Sequence, residues 1–376
     1  MTASSPEQRS IISGIGISRI GRHTGIPGPQ LTSESARAAI ADAGLTPDDV
    51  DGIATVGSTP PDVTARALGS DPRFRDDGSG GGLLAPLMGA MAGVAAGAAR
   101  HVLVYRTVEM DEGAGGGHMT RSIGSMGDVA SLTAYHAYSA ANWLAMHCRR
   151  HMALYGTTRE QLGALAVNSR ANAARNPRAV FREAITLDDY LAARPISDPF
   201  GLLDCDVPID GSIALVVSHT DHAVGCDHPV RVAAMGGTEP RGGWYQRDDY
   251  PSMSAVDSAA ALWARTELTP ADVDFAELYD GFTFLTLSWL EALGFCGVGE
   301  SGPFVAEPGR IALDGSFPLN TYGGQLSAGR MHGYWVVHEA CLQLRGQAGE
   351  RQVPRHEVAA VSSGGGPLCG SLLLTA

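Results

Sequence analysis

Leu45-Thr46-Pro47-Asp48-Asp49-Val50-Asp51 returns later in the chain as Leu268-Thr269-Pro270-Ala271-Asp272-Val273-Asp274. An alanine-rich helical stretch from about residue 36 precedes the first copy, and a strand over 52–56 follows it. A helix through Trp263 precedes the second, and a strand over 275–278 follows. A further pair of landmarks falls in the same order. The run Gly78-Ser79-Gly80-Gly81-Gly82 leads into an apolar helix ending near Gly97 and a strand over 101–105. Gly323-Gly324 leads into a helix through Trp335 and Leu344 and a strand over 358–362. Two matches in one order imply an internal duplication, and alternating helices and strands imply sheets covered by helices. The expected division is a first half in 1–117 and 201–226, an inserted loop domain over the active site in 118–200, and a second half in 227–376.

Composition narrows the function. The chain has 376 residues, 44% hydrophobic, with 48 glycines, enough for two α/β halves and inconsistent with disorder. A net charge of -13 argues against nucleic acid, whose phosphates need clustered cations. No stretch is apolar enough to span a bilayer and the first ten residues are polar, so a cytoplasmic protein without membrane insertion is expected. Cys148, Cys205, Cys226, Cys296, Cys341 and Cys369 are scattered without a CxxC pair, so neither a disulfide framework nor a zinc cluster is indicated. All 27 basic residues are arginine. Lysine Schiff-base chemistry, including lysine-linked pyridoxal phosphate, is therefore excluded. His147 and His151 have the i, i+4 spacing of a metal pair, but the arginines between them and the lack of a third ligand favour a surface helix, and no metal site is expected.

Further motifs fall in a fixed order: Ile12-Ser13-Gly14-Ile15-Gly16 at the start, the doubled element, Asp210-Gly211 before a strand over 213–217, Asn320-Thr321-Tyr322-Gly323-Gly324, and Gly364-Gly365-Gly366 near the end. Over nearly its whole length the chain resembles the thiolase superfamily, in its sterol-carrier-protein and lipid-transfer-protein branch. That resemblance implies a duplicated thiolase fold, two βαβαβαββ-type halves in five layers, α-β-α-β-α, with a helical insertion. The chain departs from the family at each catalytic position. Where the resemblance puts the nucleophilic cysteine, near Gly80, there is none. The motif Tyr279-Asp280-Gly281-Phe282 begins with tyrosine, Arg330 stands where the family's GHPxG histidine would, and Ser362 or Ser363 replaces the second cysteine.

Claisen exchange needs a thiolate to carry the acyl group, and serine or glycine supplies no comparable nucleophile at neutral pH. Retro-aldol cleavage of a β-hydroxyacyl thioester needs only a base, donors for the departing enolate and an acid to quench it. The lipid-transfer-protein branch includes aldolases that resemble this chain in their YDGF tyrosine and shorten steroid side chains attached to CoA. The resemblance thus implies a carbon–carbon lyase acting on an acyl-CoA thioester, with no cofactor beyond the CoA of its substrate. It also implies a homodimer and an OB-fold, zinc-ribbon partner that would hold any zinc.

The expected acid/base is Tyr279, its pKa lowered by Arg330; a buried tyrosine tied to backbone is the alternative. Arg330 and the amides of the glycine turns at Gly80, Gly324, Gly364 and Gly365 are the expected oxyanion donors. His332, Tyr322 or Tyr334 would be the second proton carrier, since arginine cannot exchange protons near neutrality. Asp280 either orients Tyr279 or Arg330, or satisfies backbone donors. Two other functions stay open: a non-catalytic subunit binding acyl-CoA or lipid, and an acyltransferase using Cys369 or Ser362.

Overall fold

The two Thr-Pro turns fold identically. Thr46 donates from N and Oγ1 to Asp49 Oδ2 at 2.8 and 2.7 Å, and Thr269 makes the same pair with Asp272 at 2.8 and 2.7 Å. Asp51 then accepts from the N–H groups of Arg100 and His101, both at 2.9 Å, and Asp274 from those of Glu357 and Val358 at 2.8 and 3.1 Å. In each copy the last aspartate seats the first residues of a neighbouring strand. This computed structural model describes residues 5–57, 59–78, 82–110, 132–222, 225–238 and 247–376.

The strands are β1 (Ser10–Ile17), β2 (Gly52–Thr55), β3 (Phe74–Asp76), β4 (His101–Val108), the short β5 (Pro195–Ser197) and β6 (Phe200–Gly201), β7 (Gly211–His219), β8 (Val230–Gly237), β9 (Phe275–Glu277), β10 (Val358–Gly365) and β11 (Leu368–Thr375). The helices are α1 (Gly28–Asp42), α2 (Pro61–Leu68), α3 (Ala85–Ala95), α4 (Ala140–Tyr155), α5 (Arg159–Ala174), α6 (Leu187–Leu191), α7 (Ala255–Trp263), α8 (Thr283–Ala292), α9 (Ser301–Ala306) and α10 (Tyr334–Leu344). Helix α1 starts before the alanine-rich stretch because Pro27-Gly28-Pro29 supplies a helix N-terminus.

Strand order is β3-β2-β4-β7-β1 in the first half and β9-β10-β11-β8 in the second. The directions also correspond: β2 runs parallel to β4 and β9 to β10, β4-β7-β1 and β10-β11-β8 are antiparallel, and the first half adds β3 parallel to β2 at its edge. Where the halves meet, β1 and β8 pair over only two residues of each strand, Ile11 with Arg231 and Ile12 with Val230. The duplicated, layered fold expected from the sequence is what the chain adopts.

Period-two alternation assigns the layers. Leu103, Tyr105, Ala214 and Val216 face α1 and α2, whereas Val102, Val104, Leu215 and Val217 face the central layer. In the second half, Val361, Leu372 and Leu374 face that layer, and Ala360 and Leu373 face α7 and α8. Helices α3 and α10 form the central layer, buried between the two halves of the sheet. The outer helices lie close to the sheets: a Cβ on Gly16 would overlap the backbone of Ser35, and one on Gly236 that of Ser258, the same close approach in both halves.

His147 and His151 are not on a solvated face. Both are buried, His147 with Nδ1 on the Trp143 carbonyl at 3.0 Å and His151 between Thr157 Oγ1 at 2.9 Å and Glu291 Oε1 at 3.0 Å. The intervening arginines take the outer side of α4, and among the described residues no group of three ligands suits a metal. No described helix is long and apolar enough to cross a membrane.

Candidate active site

The site lies where the second half's first crossover begins. Strand β9 runs into Leu278-Tyr279-Asp280, and α8 starts three residues later. Two side chains fix this segment. Asn320, held at φ 50° with its carbonyl bonded to Asn172, accepts from the Leu278 N–H at 2.7 Å. Ser362, on β10, accepts from the Tyr279 N–H at 3.1 Å. Ser362 is thus engaged in holding the tyrosine's backbone.

The segment Gly324–Ala328, one turn of π-helix, closes over Asp280. Gln325 donates its N–H to Asp280 Oδ1 at 2.8 Å, and its side-chain Oε1 accepts from the His332 N–H at 2.9 Å. Gly324 has φ 61°, and a Cβ there would overlap Asp280 Oδ2. Helix α5 and the turn that follows it support this loop from behind. Ser169 Oγ donates to Gly323 O, Arg170 Nε to Ser327 Oγ at 2.9 Å, and Asn176 Nδ2 to Tyr322 O at 2.8 Å. Arg330 donates its N–H to Val207 O at 2.8 Å and reaches Asp206 with Nη1 at 3.3 Å.

Electrostatics change the expected roles. Burial pushes the Tyr279 hydroxyl well above its ordinary pKa and Asp206 adds to that; Arg330 and the Gln325 side chain oppose it without prevailing. Arg330 acts in the expected direction but does not bring the Tyr279 pKa below its ordinary value, because desolvation of the phenolate outweighs one cation already paired with Asp206. At neutral pH Tyr279 is a phenol. Asp280 is raised by burial to about 7, against the pull of the Gln325 and Leu326 amides. Its Oδ2 and the hydroxyls of Tyr322 and Tyr334 have no hydrogen-bond partner among the described residues. Both tyrosines are raised by burial, and Tyr322 stacks on Trp335.

His332 sits at φ 50°, an uncommon conformation for a non-glycine residue. Burial, then Arg106 and Arg330, hold its pKa well below 6.5, so the imidazole is neutral. Its Nδ1 accepts from Arg106 Nε at 3.2 Å and Nη2 at 2.8 Å. Arg106 was not anticipated from the sequence. Its signal was nonetheless there: it continues the inward-facing positions Val102 and Val104 of β4, where an aliphatic residue is the rule.

Gly80 lies outside the described residues. Gly364 and Gly365 serve the β10–β11 hairpin: Gly364, at φ 89°, packs on Leu368 and Cys369, and a Cβ on Gly365 would overlap Leu285. Cys369 is buried and its thiol is pushed far up. Burial likewise raises the other five cysteines, all of them unpaired. A raised thiol is a poor nucleophile, so no relocated cysteine replaces the missing one.

A tyrosine-led YDGF segment, an NTYGG loop and a GRMHG loop converge around one buried carboxyl, on a duplicated sheet framework. Residues 241–374 match the family model described as thiolase C-terminal domain-like. The chain is 36% identical over 384 residues to the 17-hydroxy-3-oxo-4-pregnene-20-carboxyl-CoA lyase of Mycobacterium tuberculosis, covering 97% of this chain and 99% of that one. The chain belongs to the thiolase superfamily. Within it, the sterol-carrier-protein branch suggested by the motifs is its place. It is likewise 36% identical over 383 residues to the steroid side-chain-cleaving aldolase of Thermomonospora curvata, covering 96% and 97% of the two chains. Among solved structures, the Ltp2-ChsH2(DUF35) aldolase superposes with a TM-score of 0.88 at 34% identity, over 98% of each chain.

Proposed function

We propose that this protein is a carbon–carbon lyase that cleaves a steroid CoA thioester by a retro-aldol reaction. The substrate carries a hydroxyl on the carbon β to the thioester. Loss of that proton and breakage of the Cα–Cβ bond give a ketone and a thioester enolate, which is protonated at Cα to release the shortened acyl-CoA. One proton moves from oxygen to carbon, and no acyl-enzyme forms. The observation that carries this reading is Tyr279, a phenol held by β9 and Ser362 beside a carboxyl that titrates near 7.

Tyr279, protonated at neutral pH, is suited to deliver the proton to the enolate carbon. Asp280 is the acceptor for the hydroxyl proton, since its pKa matches the working pH. Arg330 supports the anion that develops between them. Neutral His332 serves as a hydrogen-bond donor, which replaces its expected role as proton carrier. The reaction calls for no cofactor beyond the CoA of the substrate.

We further infer an assembly with a second protein of the DUF35 kind, on the strength of the superposition over 98% of each chain. A homodimer and a cytoplasmic location complete the reading by analogy with the fold. The test is direct: the purified protein, alone and with such a partner, is incubated with a tertiary β-hydroxyacyl-CoA and the ketone is measured. Ketone from the native protein and its loss in Tyr279→Phe support the lyase. Turnover undiminished in Tyr279→Phe overturns the assignment of Tyr279. No ketone under either condition favours an acyl-CoA-binding subunit.

A further inference from the structure

Arg106 enters the protein from the inner face of β4, and among the described residues its hydrogen bonds all go to neutral acceptors. Nη1 donates to the Val56 carbonyl at 2.6 Å, and Nε and Nη2 converge on one atom, His332 Nδ1. Among the described residues no carboxylate pairs with it. The groups acting on its charge are the hydroxyls of Tyr334 and Tyr279 and a second cation, Arg330. Burial lowers its pKa to about 10, so it stays charged at neutral pH. A desolvated cation without a counterion is unfavourable until an anion forms nearby. The lyase reaction forms one, the thioester enolate.

The bond to His332 has a second consequence. A guanidinium donates and does not accept, so Nδ1 must present its lone pair and the ring proton must sit on Nε2. The residue is pinned on its other side too: its N–H donates to Gln325 Oε1 at 2.9 Å, and its carbonyl accepts from Ser363 Oγ at 3.3 Å. Bonds to both backbone groups hold the residue in the left-handed region, and its ring cannot turn without losing the bonds from Arg106. Such over-determined conformations gather at functional sites.

We propose that Arg106 is a positioning residue that locks His332 in the Nε2–H form and thereby presents a hydrogen-bond donor, backed by a buried positive charge, to the enolate oxygen of the thioester. The assignment rests on the lyase reading for the identity of the anion, but not for the tautomer. Arg106 therefore acts through His332, and Arg106→Gln removes the charge while Arg106→Lys retains it without the fork.

The tautomer is read by long-range proton–nitrogen NMR on the full chain labelled with nitrogen-15 histidine, with the His332 signals assigned by their absence in His332→Asn. Native protein is expected to show Nε2–H at His332, and Arg106→Gln a mixture of tautomers. With ketone release as the second readout, Arg106→Gln is expected to lower kcat by about 10- to 100-fold, the scale of losing a group that orients a site ligand, with KM changed by less than about threefold. Arg106→Lys should recover part of kcat. An Nδ1–H tautomer in the native protein, or an unchanged tautomer in Arg106→Gln, overturns the proposal. Should Arg106→Gln fail to fold by circular dichroism, the native tautomer and the kcat of Arg106→Lys decide it. Absence of ketone from every form, with the tautomer still responding to Arg106, would remove the lyase reading and leave the pairing intact.

Discussion

Replacing Asp280 with asparagine should stabilise the protein while stopping the reaction, and the size of the gain should depend on pH. The folded carboxyl titrates near 7 against an ordinary value of 3.8. Below 3.8 both folded and unfolded chains hold the proton, and the group does not discriminate between them. Between 3.8 and 7 the unfolded chain releases the proton and the folded one keeps it, so stability falls by about 1.4 kcal/mol per pH unit and levels off above 7. The difference of roughly three units corresponds to about 4 kcal/mol at pH 8. Asparagine keeps an acceptor for the Gln325 N–H and never ionises. Urea unfolding of both proteins at pH 4 and pH 8 measures the effect: the stability of Asp280→Asn relative to native should rise by about 3–5 kcal/mol between those conditions. A difference that does not vary with pH would refute the reasoning, because it would mean the carboxyl ionises in the folded protein as readily as in water. Ketone release should be lost in the same variant, an example of stability and activity pulling apart at a catalytic group.

Gly324→Ala should cost about 1–3 kcal/mol from its φ of 61° alone, with more from overlap with Asp280, and should abolish ketone release; the urea midpoint and the lyase assay check both. Arg351 makes two 2.9 Å bonds to Glu339, which is fully buried beside the equally buried Glu277. Arg351→Met should therefore destabilise the protein by about 3–5 kcal/mol at pH 8 by leaving a carboxylate unpaired, measured by the same unfolding titration. Cys369→Ala should leave ketone release unchanged, and intact-mass spectrometry of native protein during turnover should show no acyl adduct.

The framework was legible because it rests on local chemistry that repeats. Thr46 and Thr269 with their aspartates, and Asp51 and Asp274 with the strands they seat, specify the same turn twice from sequence-adjacent atoms. Tyr279, Asp280, Arg330 and His332 could be singled out because each stands in a short motif. What they do could not be read from those motifs, because protonation depends on burial produced by distant segments. Arg330 loses part of its influence on Tyr279 to Asp206, more than a hundred positions away. The His332 tautomer is set by Arg106 from the other half of the chain. His147 and His151 were misplaced for a related reason: the arginines between them point outward, and periodicity alone did not show that the opposite face of α4 packs inside.

Because α3 and α10 bury their side chains against both halves of the sheet, neither half owns a complete interior. A chain cut between residues 226 and 227 would leave each fragment with half of a shared wall exposed to water. Melting is accordingly expected as one cooperative transition, with neither half unfolding ahead of the other.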